Sequence, residues 1–263
     1  MSFDQSAIKL CGVVVKFASR AGVVTALRDL SFDVKRSEFV SLVGPSGCGK
    51  STCLGLVAGL RTPTRGDVFV EGRRVNGPSR DVGFMLQKDL LMPWRTVLEN
   101  VIFGLELRGK AKAEMRDLAE SYLRSFGLLE FANAKPSHLS GGMRQRISLI
   151  RTLLTDPKII LLDEPFSALD FQTRLILEDE IWSLLKSEGR TVVLITHDIN
   201  EAIAMSDRIL VMSKRPGTLK REITVELARV AGSPLEARNR LEFGAYFADV
   251  WKTIDVDLQL RAS

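Results

Sequence analysis

The chain has 263 residues, 45% of them hydrophobic and 26% charged, with a formal net charge of +5. That composition excludes a long disordered polymer, and the length fits roughly two domains, or one large α/β unit with an appendage. The basic pairs Lys35-Arg36, Arg73-Arg74, Lys214-Arg215 and Lys220-Arg221 are scattered and not interleaved with aromatics. They read as solvated faces, with anionic lipid, nucleotide or nucleic acid as the alternative.

The cysteines Cys11, Cys48 and Cys53 are odd in number and fit no zinc spacing, which points to a reducing cytosol. The opening "MSFDQSAIKL" predicts no signal peptide. No apolar run approaches the ~20 residues that cross a bilayer, so work at a membrane would be that of a peripheral subunit.

In chain order, "IKLCGVVVKFA", "TALRDLSFDV" and "EFVSLVG" predict strands. "KSTCLGLVAGL" predicts a helix stopped by "RTPTRGD". "DVFVEGRRV" predicts a hairpin around Glu71-Gly72, and "DVGFMLQ" a strand. From Ala111 to Phe126 one helical face carries Met115, Leu118, Ala119, Tyr122, Leu123 and Phe126. Strands "KIILLDE", "TVVLITHD" and "RILVMS" then alternate with helices "QTRLILEDEIWSLLKSEG" and "INEAIAMSD". Continuous apolar strands between helices mean a parallel sheet covered on both faces. Residues 233–251 predict one more helix, with Leu235, Leu241, Phe247 and Trp251 as apolar contacts.

The strongest motif is "GPSGCGKS", which matches G-x-x-x-x-G-K-[ST] between an apolar strand and a helix. Its residues are Gly44, Pro45, Ser46, Gly47, Cys48, Gly49, Lys50 and Ser51, with Thr52 following. The glycines let the backbone close around a triphosphate, Lys50 reaches the β- and γ-phosphates, and Ser51 offers a hydroxyl to Mg²⁺. Cys48 is a small filler of the loop.

"KIILLDEP" places Asp163 at the carboxyl end of a buried strand, suited to hold Mg²⁺. Glu164 is then placed to orient or deprotonate an attacking water. His197, after "TVVLIT", is either a γ-phosphate contact or a structural histidine. Gln87 touches Mg²⁺, the attacking water or only solvent. "LSGGMRQRISLIRTLL" has the serine, the glycines and the helix start of an anion site, yet no lysine follows.

Together these motifs resemble an ATP-binding cassette (ABC) ATPase over residues 8–214. They are the phosphate loop, the glutamine loop at Gln87, the signature "LSGGM", the strand ending Asp163-Glu164, "SALD" at 167–170 and the switch histidine His197.

The resemblance implies an α/β fold: an ABC-type P-loop ATPase with a mostly parallel core sheet, an N-terminal antiparallel β subdomain and a helical signature subdomain. The expected division is residues 1–232 as the ATPase domain, its helical subdomain about 88–157, and 233–263 as a C-terminal helical extension.

It also implies ATP and Mg²⁺ as cofactors and a head-to-tail homodimer. There Ser140, Gly141 and Gly142 would hold the partner's γ-phosphate, whose lysine comes from the facing chain. Mg²⁺ would be held by Ser51, Gln87 and Asp163, with Glu164, His197 and Gln87 as catalytic residues. Phe17, where the family carries tyrosine, would stack on adenine; the alternative is an ordinary core residue.

Met143 replaces the commoner glutamine of the signature but leaves its serine and glycines in place. Leu90, Leu91, Met92 and Trp94 of "QKDLLMPWRTVLENVIFGLELRG" form either local packing or a docking groove for a membrane subunit. This run resembles importers of the nitrate, sulfonate and taurine group. That group implies two transmembrane permease subunits, a periplasmic or extracellular solute-binding protein, no nucleic acid, and a peripheral place on the cytoplasmic face of the inner membrane. The rival readings are a soluble ABC ATPase acting on nucleic acid or ribosomes, and a P-loop kinase.

Overall fold

The computed structural model describes residues 6–19, 22–109 and 112–259. In chain order it contains β1 (Ser6–Ser19), β2 (Gly22–Lys35), β3 (Phe39–Val43), α1 (Lys50–Val57), β4 (Arg65–Val70), β5 (Arg73–Arg74) and β6 (Val82–Met85). Then follow α2 (Val97–Glu106), α3 (Lys112–Ser125), α4 (Gly141–Leu153), β7 (Ile159–Asp163), α5 (Phe171–Ser187) and β8 (Thr191–Ile195). The chain closes with α6 (Ile199–Met205), β9 (Arg208–Met212), β10 (Leu219–Thr224), α7 (Leu227–Ala231), α8 (Pro234–Arg238) and α9 (Phe243–Gln259). It divides into two compact units, Arg80–Arg174 and the segments flanking it.

The flanking unit holds two sheets. In one, β1 pairs antiparallel with β2 and with β4, and β4 with β5, giving the order β2-β1-β4-β5. The other contains β3 parallel to both β8 and β9, with β10 antiparallel on β9. All five residues of β3 and all five of β8 are buried, the burial expected of strands covered on both faces. Among helices of this unit, α6 packs on β3 and α9 on β9. Trp182 of α5 is also buried and donates its indole N–H to the Met205 carbonyl at 3.0 Å.

The unit Arg80–Arg174 has β6 parallel to β7, with α2, α3 and α4 packed on one another. Thr96 and Glu99 form a capping box that starts α2: the Thr96 hydroxyl accepts the Glu99 N–H at 3.2 Å and the Glu99 carboxylate accepts the Thr96 N–H at 2.6 Å. In α3, Met115, Ala119 and Leu123 are buried, as the helical spacing requires, but Leu118 is 43% exposed and lies off that stripe. Ala111 lies outside the described residues.

The tail differs from the single helix expected over 233–251. Ser233 caps α8 with Pro234 in its first turn, and Asn239 ends it; α9 starts afresh at Phe243. The polar run from Arg238 to Arg240 has no apolar residue at helical spacing to bury, so the chain turns there. Leu241 is 99% exposed rather than an apolar contact; Pro234, Ala237 and Val250 are buried, while Phe247 stacks on Trp251 at 6.2 Å. Residues 260–263 of the expected extension lie outside the described residues.

Candidate functional site

In the flanking unit β3 runs into the turn 44–49 and α1 begins at Lys50. Gly49 sits at φ +110°, where a Cβ would come within 2.6 Å of the Leu27 side chain, so this helix start accepts glycine alone. Lys50 is buried, and its ammonium donates to the carbonyls of Gly44 at 2.7 Å and Pro45 at 3.1 Å. A phosphate oxygen is a stronger, charge-assisted partner for that ammonium than either carbonyl.

Ser46, Gly47 and Ser51 are exposed along this turn, and Thr52 is half-buried. Cys48 is fully buried beside Lys50; desolvation pushes its thiol up, against the opposing Lys50 charge. It fills the loop rather than reacting.

Phe17 is half-buried on β1, with the Arg61 guanidinium 5.3 Å from its ring centroid. His197 is exposed, but its neighbours are fixed. Thr196 is buried, donates to the buried Glu201 carboxylate at 3.1 Å and accepts the Asp198 N–H at 2.9 Å. Asp198 caps α6 through the Asn200 N–H at 2.8 Å. The imidazole therefore stands on a braced turn.

In the unit Arg80–Arg174, Asp163 ends the wholly buried β7 and is 4% exposed. Glu164 follows at φ +51°, a left-handed conformation that non-glycine residues adopt only when their surroundings hold them there. The Gln87 amide donates to the Glu164 carboxylate at 2.8 Å, so two residues 77 apart in sequence meet. With its N–H₂ turned to Glu164, Gln87 has its amide oxygen left as a ligand atom for a hard cation.

Ser140 caps α4, its hydroxyl accepting the Met143 N–H at 3.2 Å. Its own O–H remains a donor toward an anion, beside the first N–H groups of the helix. Asp170 likewise accepts the Thr173 N–H at 3.0 Å, which with the Thr173 side chain holds its carboxyl below the usual range.

The stretch after Gln87 splits. Leu90 and Trp94 are 55% and 72% exposed, whereas Leu91 is buried and Met92 half-buried. Leu91 is therefore local packing, because the alternation of a turn sends neighbouring side chains to opposite sides. The buried Asn100 clasps this segment: it accepts the Met92 N–H at 2.7 Å and donates to the carbonyls of Met92, Arg95 and Thr96 at 3.1, 3.3 and 2.9 Å. From α4, Arg151 donates to the Asp89 and Leu90 carbonyls at 2.7 and 2.9 Å, and Arg144 pairs with Asp89 at 3.0 Å. Neither Asn100 nor these arginines was singled out by the sequence. The only available signal was the T-x-x-E cap, which places Asn100 in the first turn of a helix.

The family model described as ABC transporter matches residues 27–167. An uncharacterized ABC transporter ATP-binding protein, YtlC of Bacillus subtilis, is 46% identical over 231 residues, 88% of this chain and 89% of that one. The nitrate import ATP-binding protein NrtD of Synechocystis sp. is 45% identical, covering 80% of this chain and 79% of its own. The taurine import ATP-binding protein TauB of Burkholderia pseudomallei is 41% identical, with 87% and 90% covered. Among solved structures, the dimeric ATP-binding cassette MJ0796 in a post-hydrolysis state with ADP and Pi superposes with a TM-score of 0.77 at 35% identity, covering 83% of this chain and 98% of that one.

Proposed function

Because the chain belongs to the ABC transporter family, we propose that it is the ATP-hydrolysing subunit of an importer for a small solute such as nitrate, a sulfonate or taurine. The import roles of the nitrate and taurine relatives support the importer reading. Phe17 would stack on adenine, and the turn 44–52 would cradle the phosphates with Lys50 as counter-charge. Ser51, Gln87 and Asp163 are hard oxygen donors, a set that fits Mg²⁺ in company with phosphate oxygens. The ion would neutralise charge that develops on the phosphates.

Hydrolysis is assigned to Glu164, which polarises the attacking water, with His197 on the γ-phosphate. The observation that carries this is the 2.8 Å contact between Gln87 and the Glu164 carboxylate. It joins the loop bearing the exposed Leu90 and Trp94 to the carboxylate that would act on water.

Ser140, Gly141 and Gly142 are assigned to the nucleotide of a second copy. Two chains would then share two sites in an isologous dimer. ATP binding would close that dimer and hydrolysis reopen it, moving two permease subunits docked near Trp94 and fed by a solute-binding protein. The subunit would then lie peripherally on the cytoplasmic face of the inner membrane. No helix among the described residues is long and apolar enough to cross a membrane.

Glu164→Gln tests the reading. The variant should bind Mg-ATP, lose turnover and run as a dimer in size-exclusion chromatography. Turnover at the unmodified rate, or an ATP-loaded monomer, would refute it.

A further inference from the structure

We propose that Gln145 is a positioning residue for hydrolysis: from within α4 it holds the turn that carries Glu164, and so ties the signature turn of a chain to that chain's own catalytic carboxylate. The inference rests on the assignment of Glu164 above.

Gln145 is 6% exposed, and both ends of its amide are engaged. Its N–H₂ donates to the Glu164 carbonyl at 2.9 Å and to the Ser167 hydroxyl at 3.3 Å, while its oxygen accepts the Ala168 N–H at 3.0 Å. Ser167 closes the ring by donating to the same Glu164 carbonyl at 3.0 Å. A buried amide satisfied at both ends fixes the groups it touches. What it fixes here is a residue at φ +51°, a strained conformation that persists only under such restraint.

A second observation joins the same two segments. At Gly142, a Cβ would lie 2.7 Å from the Leu169 side chain, so the first turn of α4 is packed directly on the loop after Glu164. In the proposed dimer the signature of one chain serves its partner's nucleotide, while Glu164 serves its own. The Gln145 bridge therefore connects the two nucleotide sites within each chain.

The test uses the full chain, measuring steady-state Mg-ATP hydrolysis and the affinity for a fluorescent ATP analogue. Gln145 touches no nucleotide in this scheme. Gln145→Ala should lower kcat on the order of ten- to a hundredfold, as small misplacements of catalytic groups do, with nucleotide affinity within about twofold of the parent. The Hill coefficient for ATP should fall toward that of independent sites.

Gln145→Glu keeps the shape but, ionised, cannot donate to the Glu164 carbonyl. Burial raises a carboxyl pKa, so this variant's rate relative to the parent should recover as pH falls from about 8 to about 6 and the donor is restored. Recovery also answers for the alanine variant if that one fails to fold. Parental kcat in Gln145→Ala, a parallel loss of affinity, or a pH-independent ratio for Gln145→Glu overturns the proposal. Turnover surviving in Glu164→Gln overturns both this proposal and the reading beneath it. A dead Glu164→Gln beside a fully active Gln145→Ala removes this one alone.

Discussion

Lys50 shows what a single side chain contributes before any ligand arrives. Its ammonium is already buried and turned inward onto the Gly44 and Pro45 carbonyls, which hold its positive charge at the turn 44–49. Lys50→Ala should weaken ATP binding by about ten- to a hundredfold, the equivalent of the 1.5–3 kcal/mol typical of a hydrogen bond to a charged group. Titration with a fluorescent ATP analogue measures it, and unchanged affinity would remove the lysine from the site.

The neighbouring thiols make a separate prediction. Cys48 and Cys53 are buried, and desolvation pushes Cys53 up to about 12. Since the thiolate is the reacting species, a thiol reagent at pH 8 should modify the partly exposed Cys11 first and reach the other two only in denaturant. Two or three fast-reacting thiols in the native chain would contradict the packing of the loop.

At the scale of elements, α4 emerges as the organising helix of the unit Arg80–Arg174. Its N-terminus is the signature turn, Gln145 holds the turn that carries Glu164, and Arg144 and Arg151 grip residues 89 and 90. Asn100 of α2 fixes the adjoining segment, so Trp94 is presented on a stiff loop rather than a wandering one. A large indole held 72% exposed by such a clamp suits the docking of a partner helix. Trp94→Ala should leave ATP hydrolysis by the isolated chain close to the parent and sharply reduce uptake into vesicles that carry the assembled transporter. Normal uptake would reject the docking assignment.

The same elements show what was legible beforehand. The strands β3, β7 and β8 announce themselves as short apolar runs, each followed by a residue type with its own chemistry. The lysine turn and the signature are likewise local patterns. Gln145, Asn100 and Arg151 were not legible, because a polar residue in a helix looks the same whether it meets water or the carbonyls of a distant loop. The break between α8 and α9 was hidden because Leu235, Leu241, Phe247 and Trp251 suggest a continuous stripe that Leu241, at 99% exposure, does not join.

At the scale of the whole molecule, the C-terminal helices α8 and α9 are packed against the rest of their unit. Residues 175–259 fall in the same compact unit as the phosphate loop. Its α8 is pinned to α5 by two polar contacts. Arg238 pairs at 2.5 Å with Glu178, whose side chain has no exposed surface, and the Leu235 N–H donates to Asp179 at 3.1 Å. α9 and α8 both pack against α6, the helix whose first turn is braced beside His197.

Removing one partner of a buried ion pair is destabilising, by up to about 3–5 kcal/mol, whereas replacing both partners by apolar residues of similar size is close to neutral or stabilising. Arg238→Ala should therefore lower the stability of the full chain by that order in urea unfolding, and Glu178→Leu with Arg238→Met should restore most of it. An independent tail would behave otherwise: Arg238→Ala would leave the unfolding of the nucleotide-binding part unmoved, and the double variant would differ little from the single one.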